Sequence, residues 1–359
     1  MLKGYKYRIY PTEEQKIQFE KTFGCVRFVY NKMLEDRIRI HNEKNDEKLP
    51  TPAKYKTEFT FLKDVDSLAL ANAQMDLNNA YKKFFKEGRG FPNFKKKKTE
   101  MTYKTNNQKG TVDILGSFLK LPKLKTLVKI KLHREFTGII KSATIRKVPS
   151  GKYYVSLLVE EEHQCLQKND NQVGVDLGIS DLAILSNGVK FANQRFLKKS
   201  EIKLAKEQRK FSKMKKGSNN REKQRIKVAK IYEKITNQRK NYLHTITKYM
   251  IENFGLICLE DLSSSNMIKN RRLAKAIQDV SWFEFQRQLL YKAEWNDRTI
   301  QKISKWFPSS QICSSCGLNT GKKALHIRKW TCECGAEHDR DINAGKNILA
   351  EGKRILGMQ

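Results

Sequence analysis

Three acidic side chains stand in surroundings where an unpaired charge is costly. Asp176 lies in 173–179, a run of branched apolar residues and glycine that is typical of a buried strand. Glu260 ends a second apolar run, and Asp341 stands at the start of the last helix that the sequence predicts. A buried carboxylate is unfavourable unless another group compensates its charge. For each acid taken alone, that group could be a basic residue at the end of a strand. Together, the three acids indicate a site for hard cations such as Mg²⁺.

Four cysteines form a second group of metal ligands. The motifs Cys313-x-x-Cys316-Gly and Cys332-x-Cys334-Gly are separated by 15 residues. Two close thiolate pairs, each followed by glycine, predict a zinc ribbon with a tetrahedral site. The second pair is one residue shorter than the first, so the fourth ligand is either Cys334 or His338. Four protein ligands leave no open coordination position, and we therefore predict one structural Zn²⁺.

The other three cysteines, Cys25, Cys165 and Cys258, are isolated in the sequence. An odd total of seven with a single cluster argues against a disulfide framework and favours a reducing compartment.

The overall charge points to a polyanionic partner. The 359 residues include 72 Lys and Arg against 38 Asp and Glu, a formal charge of +34. Such an excess is self-repelling unless a polyanion, usually nucleic acid, neutralises it. No run of 18 apolar residues and no secretory leader is evident, so we expect a soluble protein of the cytoplasm.

Two basic regions could bind that polyanion. Lys95, Lys96, Lys97 and Lys98 follow one another, near Phe91, Phe94 and Tyr103, and this mixture of charge and aromatic rings favours a nucleic-acid surface. Residues 195–250 contain 19 Lys and Arg against four acids, and 216–220 divides them into two predicted helices. A solvated helix pair usually mixes both signs of charge, so this bias favours phosphate contacts.

The first half of the chain predicts a strand, a group of helices and a set of short strands. Residues 2–10 read as a strand, and Thr12 with Gln15 forms a capping box that starts a helix. We expect Gly24 to end that helix and a loop to occupy 41–60. Helical periodicity returns at 66–87, and 101–162 predicts a small β-barrel that recruits the N-terminal strand.

The second half predicts the elements that present the acids. A polar boundary at 163–172 precedes the Asp176 strand, and Asn187-Gly188 predicts a hairpin directly after it. Residues 263–280 read as a mobile loop, 281–296 as a helix and 298–306 as a strand. The last helix is predicted over 341–350, with Gly352 as its stop.

The order and spacing of these motifs resemble a known family, the TnpB proteins, which are RNA-guided nucleases of bacterial insertion sequences and relatives of the type V CRISPR effectors. The resemblance covers nearly the whole chain. Two features depart from the family pattern: the short Cys332/Cys334 knuckle, and Gly345 where alanine is common. The matching segments are Tyr7-Arg-Ile-Tyr-Pro11 with Gln15, Arg27-Phe-Val-Tyr-Asn31, Phe84-Phe85, Phe91-Pro-Asn-Phe-Lys95, Gly174-Val-Asp-Leu-Gly178, Leu259-Glu-Asp-Leu262, the four cysteines and Asp339-Arg-Asp-Ile-Asn-Ala344.

The resemblance implies a multidomain α+β fold. Its nuclease part would be an RNase H-like (RuvC) α/β domain over 171–306 and 338–359, containing the basic helices 195–250 and an inserted zinc ribbon at 307–337. Its N-terminal part would be a β-barrel wedge domain, 1–10 and 96–165, carrying an inserted helical recognition domain, 11–95.

The resemblance also implies an activity and the residues that carry it. Asp176, Glu260 and Asp341, rather than Asp339, would hold two Mg²⁺ ions for phosphodiester hydrolysis, and Arg328 near the ribbon is the candidate for an assisting arginine. A guide RNA from the element's own end would select double-stranded DNA, and the protein, expected to be a monomer, would read a short adjacent motif. The residues expected to contact nucleic acid are Arg27, Asn31, Asn72, Gln74, Lys95, Lys96, Lys97, Lys98, Lys213, Lys215, Lys216 and Arg221.

Three other functions remain open from the sequence. The protein could bind DNA with a guide RNA and repress without cutting, although three intact acids speak against this. It could be an RNase H-like transposase or resolvase that acts without RNA. It could also be a zinc-ribbon nucleic-acid-binding protein, which would leave the acids unexplained.

Overall fold

The computed structural model describes residues 1–44, 47–97, 101–163, 165–262, 269–270, 274–324 and 326–358. The chain divides into two compact units, Met1–Glu162 and His163–Gln359. Among the described residues, no helix combines the length and the apolar character that crossing a membrane requires.

The first unit is built on a seven-stranded antiparallel sheet. Its order is β2-β6-β7-β1-β5-β4-β3. The N-terminal strand joins the later strands, as predicted, and lies in the middle of the sheet between β7 and β5. Tyr5 and Tyr7 of this strand point into the core. The strands are β1 Leu2–Tyr10, β2 Thr102–Asn106, β3 Asp113–Leu115, β4 Phe118–Lys120, β5 Val128–Lys131, β6 Ile139–Lys147 and β7 Tyr153–Glu160.

The helices of the first unit are α1 Glu13–Asn42, α2 Pro52–Glu58 and α3 Ser67–Glu87, with a 3₁₀ turn at Thr60–Asp64. The predicted capping box at Thr12 and Gln15 is confirmed. The prediction that Gly24 ends the first helix is wrong, because α1 continues through it. Phe23, Cys25 and Val26 are buried on either side of the glycine, and this packing outweighs the roughly 1 kcal/mol by which glycine disfavours a helix.

The predicted loop at 41–60 is also partly wrong. Pro52 begins α2 at a position where proline is well tolerated, and Tyr55 on that helix is buried. The Tyr55 hydroxyl donates a hydrogen bond to Asp36 of α1, which is itself buried. This contact is between segments distant in sequence, so local composition did not indicate the helix.

The second unit is built on a five-stranded mixed sheet of order β10-β9-β8-β11-β12. The strands are β8 Gln172–Asp176, β9 Asp181–Leu185, β10 Lys190–Ala192, β11 Leu256–Glu260 and β12 Thr299–Ile303. The first three are antiparallel neighbours, and the predicted Asn-Gly hairpin joins β9 to β10. β11 is parallel to both β8 and β12. A short antiparallel pair, β13 Lys329–Thr331 and β14 Glu337–Asp339, follows later in the chain.

The helices of the second unit are α4 Phe196–Lys213, α5 Asn219–Asn253, α6 Ala274–Val280, α7 Trp282–Trp295 and α8 Arg340–Ile355. The predicted break between two basic helices is confirmed at 214–218. The predicted loop at 263–280 is wrong for 274–280, which is helical, whereas 263–268 and 271–273 lie outside the described residues. Gly352 does not stop the last helix but lies inside it, where an added Cβ would be 2.2 Å from Cys258 Sγ.

Alternate residues of the strands divide the sheet into two faces. Val173, Val175, Ile257 and Leu259 pack with α5 and α7. Cys258 packs with Ile348 of α8 on the opposite face. Two glycines allow this second face to approach closely, since a Cβ on Gly174 would lie 1.9 Å from the carbonyl oxygen of Gly345. Side chains alternate between the faces of a strand, so Asp176 and Glu260 project toward α8.

Candidate functional site

The register of the parallel strands places two of the acids side by side. Val175 is paired with Leu259, so Asp176 and Glu260 follow as the last residues of neighbouring strands. Both strands end at the same edge of the sheet because they run in the same direction. The carboxyl ends of adjacent parallel strands are a common position for functional side chains.

The start of α8 supplies the third acid, Asp341, and gives the nearby Asp339 a different role. Asp339 is the N-cap, accepting hydrogen bonds from the backbone N–H groups of Asp341 and Ile342, and it forms an ion pair with Lys190 at 2.7 Å. Asp341 lies in the first helical turn, and its carboxylate is 3.2 Å from Nη1 of Arg328. The structure therefore engages Asp339 in capping and an ion pair with Lys190, whereas Asp341 pairs with Arg328.

Asp176 lies close enough to Glu260 and Asp341 for their charges to affect its ionisation. Burial raises the pKa of Asp176 to about 7, and the neighbouring charges of Glu260 and Asp341 contribute to the rise, whereas a backbone hydrogen bond from Leu177 opposes the shift. Burial also raises the pKa of Glu260, against a hydrogen bond from Ser309. Like charges held this close favour protonation or a bound cation.

Several polar residues that the sequence did not single out hold this edge together. The Ser309 hydroxyl donates to Glu260 Oε1 at 2.7 Å, and Gln286 of α7 donates to the backbone carbonyl of Glu260 at 3.4 Å. Asn347 of α8 donates to the carbonyl oxygens of Ser309 and Ile312 at 2.7 Å. Their only signal in the sequence is a polar residue inside an otherwise apolar pattern, which is too common to identify them.

The four cysteines form a compact cluster. Their sulfurs all lie within 4.8 Å of one another. The Cys313–Cys334 and Cys316–Cys332 sulfur pairs are 3.8 and 3.7 Å apart. A tetrahedron with Zn–S bonds of about 2.3 Å has edges of roughly 3.8 Å, so the spacing fits zinc. Within the part of the chain that the structure describes, no other group of three or more Cys, His or acidic ligands meets this spacing.

His338 lies beside the cluster rather than replacing one of its members. Its Nε2 is 3.0 Å from Cys313 Sγ, and its ring packs on Trp330 with centroids 4.7 Å apart. Cys334 Sγ is within the four-sulfur group, so the geometry favours Cys334 as the fourth ligand. A ring N–H from His338 can then hydrogen-bond the Cys313 thiolate from outside the metal shell.

Side chains of α8 connect the cysteine cluster to the acidic edge. Asn343, which is buried, donates to the carbonyl oxygen of Ile312 at 2.7 Å and accepts from the backbone N–H of Ser314 at 2.9 Å. These two residues flank Cys313. Since Asn343 is two residues from Asp341, the first cysteine turn and the third acid are supported by the same helix end.

The residues expected to read a DNA motif lie in different environments. Asn31 uses its side-chain amide to pair with both backbone groups of Lys95, at 2.8 and 3.0 Å. Asn72 is 4% exposed and donates to the Leu68 carbonyl. Arg27 lines a surface groove and Gln74 is half-buried. Arg27 and Gln74 thus remain accessible, whereas the amides of Asn31 and Asn72 already serve the fold.

The lysine run begins as part of the first unit's packing. Lys95 places its ammonium 4.4 Å from the ring centroid of Tyr30 and 3.8 Å from Asp76. Lys96 and Lys97 are exposed, and Lys98 lies outside the described residues. The exposed lysines are consistent with a phosphate-facing surface.

The two basic helices form a hairpin that we call the α4–α5 hairpin, residues 196–253. Lys213, Lys215 and Lys216 are exposed at its turn. Arg221 has a structural role instead: its Nη1 donates to the carbonyl oxygens of Phe211 and Met214 at 2.8 and 2.7 Å, and its guanidinium stacks 4.1 Å from the ring centroid of Phe211. The predicted cluster therefore divides into three exposed lysines and one arginine that caps α4.

Three family profiles match consecutive parts of the chain. The OrfB/IS605 profile, described as "Probable transposase", matches residues 156–271. A profile described as "Cas12f1-like, TNB domain" matches 282–348, which includes the four cysteines and Asp341. A "Helix-turn-helix domain" profile matches 1–46, although the described part of that segment forms β1 and the single helix α1.

Two curated relatives match over almost their whole length. A Streptomyces pristinaespiralis protein named "Putative RNA-guided DNA endonuclease" is 37% identical, over 98% of this chain and 89% of the relative. Escherichia coli K12 InsQ, which carries the same description, is 32% identical over 99% and 93%. A Sulfoacidibacillus thermotolerans protein named "CRISPR-associated endodeoxyribonuclease Cas12f1" is 26% identical over 62% of this chain and 56% of its own length.

A solved structure supports the same relationship at the level of the fold. The protein of the "Cas12f1-sgRNA-target DNA complex" superposes with a TM-score of 0.61 over 97% of this chain and 98% of that one, at 13% identity. The chain therefore has a Cas12f1-like, mixed α/β multidomain fold with a TNB domain. By its 37% and 32% identity to relatives that it covers over 89% and 93% of their lengths, it belongs to the TnpB family.

Proposed function

We propose that this protein is an RNA-guided DNA endonuclease and that Asp176, Glu260 and Asp341 form its active site. The observation that carries the proposal is the convergence of these acids at one edge of the mixed sheet, in a chain that is 37% identical to a protein named as such an enzyme. The strand order, with one antiparallel neighbour beside parallel strands, supports an RNase H-like fold for this unit. The wedge, recognition and ribbon boundaries expected from the resemblance belong to the same proposal.

The donor set fits Mg²⁺. Three carboxylates supply oxygen ligands, and the raised pKa of Asp176 reflects negative charge that a divalent cation would relieve. Mg²⁺ bound by Asp176, Glu260 and Asp341, as a pair of ions, would favour deprotonation of an attacking water and stabilise the leaving oxygen of a phosphodiester. Arg328, 3.2 Å from Asp341 and largely exposed, would contact the phosphate itself or orient Asp341.

The protein's own residues would keep this edge in order. Ser309 and Gln286 hold the Glu260 side chain and backbone, and Asp339 fixes the first turn of α8. A structural Zn²⁺ held by Cys313, Cys316, Cys332 and Cys334 would fix the segment that leads into that turn.

The basic surfaces would bind the guide RNA and the DNA backbone. Lys213, Lys215 and Lys216 project from the turn of the α4–α5 hairpin, and Lys96 and Lys97 are exposed in the first unit. Lysine suits phosphate contacts rather than base recognition. Sequence selection would come from base pairing with the guide, with Arg27 and Gln74 as the accessible candidates for reading an adjacent motif.

The test is to purify the protein from cells that carry its transposable element and to sequence any RNA that remains bound. The complex is then supplied with Mg²⁺ and DNA that matches the RNA. We expect one discrete RNA and cleavage by the wild type, and no cleavage by Glu260→Gln. A complex that binds matched DNA without cutting would indicate a guided repressor, and cleavage without RNA would indicate a transposase or resolvase.

A further inference from the structure

The loop between β12 and the first cysteine turn is fixed to Glu260 at both ends. Ile303, the last residue of β12, is the register partner of Glu260, and its carbonyl accepts a hydrogen bond from Asp261 N–H at 3.0 Å. Six residues later, the Ser309 hydroxyl donates to Glu260 Oε1 at 2.7 Å. Residues 304–308 therefore form a short loop that leaves the acid and returns to it. We call it the 304–308 loop.

Two neighbouring aromatic residues in the 304–308 loop face opposite environments. Phe307 packs against the core formed by Leu256, Cys258, Ile303 and Ile348 on the α8 side of the sheet. Trp306 is 82% exposed. The Ser304 hydroxyl accepts a hydrogen bond from Trp306 N–H at 3.3 Å, and the Ser304 carbonyl accepts one from Phe307 N–H at 3.0 Å. The partly buried Phe307 and this turn anchor the backbone from which the indole projects.

We propose that Trp306 is a stacking platform for an unpaired base of the DNA strand that enters the acidic site. The inference rests on the proposed function. Ser309 is three positions after Trp306, so their Cα atoms are at most about 11 Å apart. The platform therefore lies within a few nucleotides of a phosphate bound at Glu260. Stacking on an aromatic ring suits any base and carries about 1–3 kcal/mol per base.

A positive charge over one face of the ring favours nucleic acid as its partner over an apolar protein surface, with the other face left for a base. Lys305 is exposed, and its ammonium is 5.1 Å from the centroid of the Trp306 ring. A base stacked on the indole would bring its phosphate near this ammonium. The base must be unpaired, because both faces of a base are covered inside a duplex. Guide pairing with one DNA strand leaves the other unpaired, so the platform would hold a separated strand near the acids.

The experiment is an abasic scan of the DNA around the cut. The wild-type protein–guide RNA complex cleaves, under single-turnover conditions, a series of targets in which one nucleotide at a time lacks its base. Trp306→Ala is expected to cut intact DNA about five- to a hundredfold more slowly, as the stacking free energy implies. One abasic position should slow the wild type by a similar factor and leave Trp306→Ala unaffected, because that variant already lacks the stacking interaction.

Two variants make the test specific. Trp306→Phe keeps an aromatic ring and should retain most of the rate. Phe283→Ala is the matched control: Phe283 is 73% exposed in the same unit but lies on α7, which packs on the opposite face of the sheet, and its loss should leave cleavage unchanged. Since Trp306 is exposed, its replacement should also leave the zinc content and melting temperature at the wild-type values.

Each outcome has one meaning. Wild-type cleavage by Trp306→Ala, or an abasic position that slows both proteins equally, would overturn the proposal. A wild type whose rate is insensitive to the loss of every base, together with a slow Trp306→Ala that no longer binds a partner protein, would overturn it in favour of a protein-docking site. If the wild type itself does not cut matched DNA, the proposed function fails, and that result is seen before any Trp306 variant is compared.

Discussion

The two clusters of candidate metal ligands in the second unit are built in opposite ways. The four cysteines come from 22 consecutive positions, 313–334, and their sulfurs lie within 4.8 Å of one another. The three acids come from two strands and a helix that span 166 positions, and they do not reach that spacing. Two short turns can assemble the first cluster, whereas only the completed sheet and α8 can assemble the second.

The comparison indicates which cluster stabilises the fold and which one destabilises it. Zinc thiolate sites contribute folding free energy directly, because the site rarely exists in the unfolded chain. The acidic cluster concentrates like charges, and the pKa of Asp176 is raised to about 7 by burial and by its acidic neighbours. We therefore expect the cysteine cluster to be needed for stability, and the acidic cluster to lower stability while serving chemistry.

The largest effect should follow removal of a cysteine ligand. Cys332→Ser should lower the zinc content from about one ion per chain to near zero, since binding free energies of roughly 10–16 kcal/mol depend on a complete ligand set. Cleavage should fall with it, because the cluster leads into the helix that carries Asp341. Elemental analysis after purification without chelator checks this. Cys165→Ser, at an exposed cysteine outside the cluster, is the control and should keep its zinc. Full zinc content in Cys332→Ser would refute the assignment.

Replacing an acid should have a smaller effect, and it should stabilise the protein rather than destabilise it. The folded pKa of Asp176, about 7, exceeds the unfolded value of roughly 3.9, so the folded state holds the proton longer. Stability in Mg²⁺-free buffer should therefore fall as pH rises from about 4 to 7 and then level off. Asp176→Asn should lose this slope and be about 1–3 kcal/mol more stable at pH 8.

Urea unfolding between pH 5 and pH 8 measures that difference. Asp170→Asn, at an exposed acid of the same unit, should keep the wild-type slope. Added Mg²⁺ should stabilise the wild type more than Asp176→Asn, because a ligand that binds only the folded state raises stability. An Asp176→Asn protein that is less stable than the wild type at pH 8 would contradict the account.

Substitutions in the α4–α5 hairpin should have the smallest effect on the cysteine and acidic clusters. Replacing Lys213, Lys215 and Lys216 with alanine should leave zinc content and Mg²⁺-dependent melting unchanged. RNA binding should weaken for every guide sequence, and the log–log salt slope should flatten by roughly one unit for each phosphate that is no longer bound. Arg221→Ala is the contrast: it removes a cap on α4, so it should cost about 1 kcal/mol of stability. An unchanged salt slope in the triple variant would place the RNA elsewhere.

The same contrast explains what the sequence could predict. The cysteine turns, the capping box at Thr12 and the hairpin at Asn187 depend on neighbours within a few residues, and short motifs are enough to identify them. The continuation of α1 through Gly24 and of α8 through Gly352 depends on packing against distant residues such as Cys258. Local rules expected a stop at both glycines, and tertiary packing overrode them.

The candidate site was predictable only in part, for the same reason. The odd position of Asp176 and Glu260 in apolar runs, together with the family resemblance, pointed to Asp176, Glu260 and Asp341 as candidates. Ser309, Gln286 and Asn347 have no such pattern, because their role arises from where the folded chain places them. Asn31 and Asn72 show the converse, since polar helix residues that suggested DNA contacts are used inside the fold.

The central claim is that the acid of α8 that serves chemistry is Asp341 and that Asp339 serves structure. The direct test is the single-turnover cleavage rate of guide-loaded Asp341→Asn and Asp339→Asn with matched DNA and Mg²⁺. Asparagine retains N-capping ability, so Asp339→Asn should cut within about tenfold of the wild type. Asp341→Asn should be slower by about a thousandfold or more, on the scale expected for loss of a catalytic group, with DNA binding retained. Near-normal cleavage by Asp341→Asn, or an equal loss in Asp339→Asn, would contradict the account.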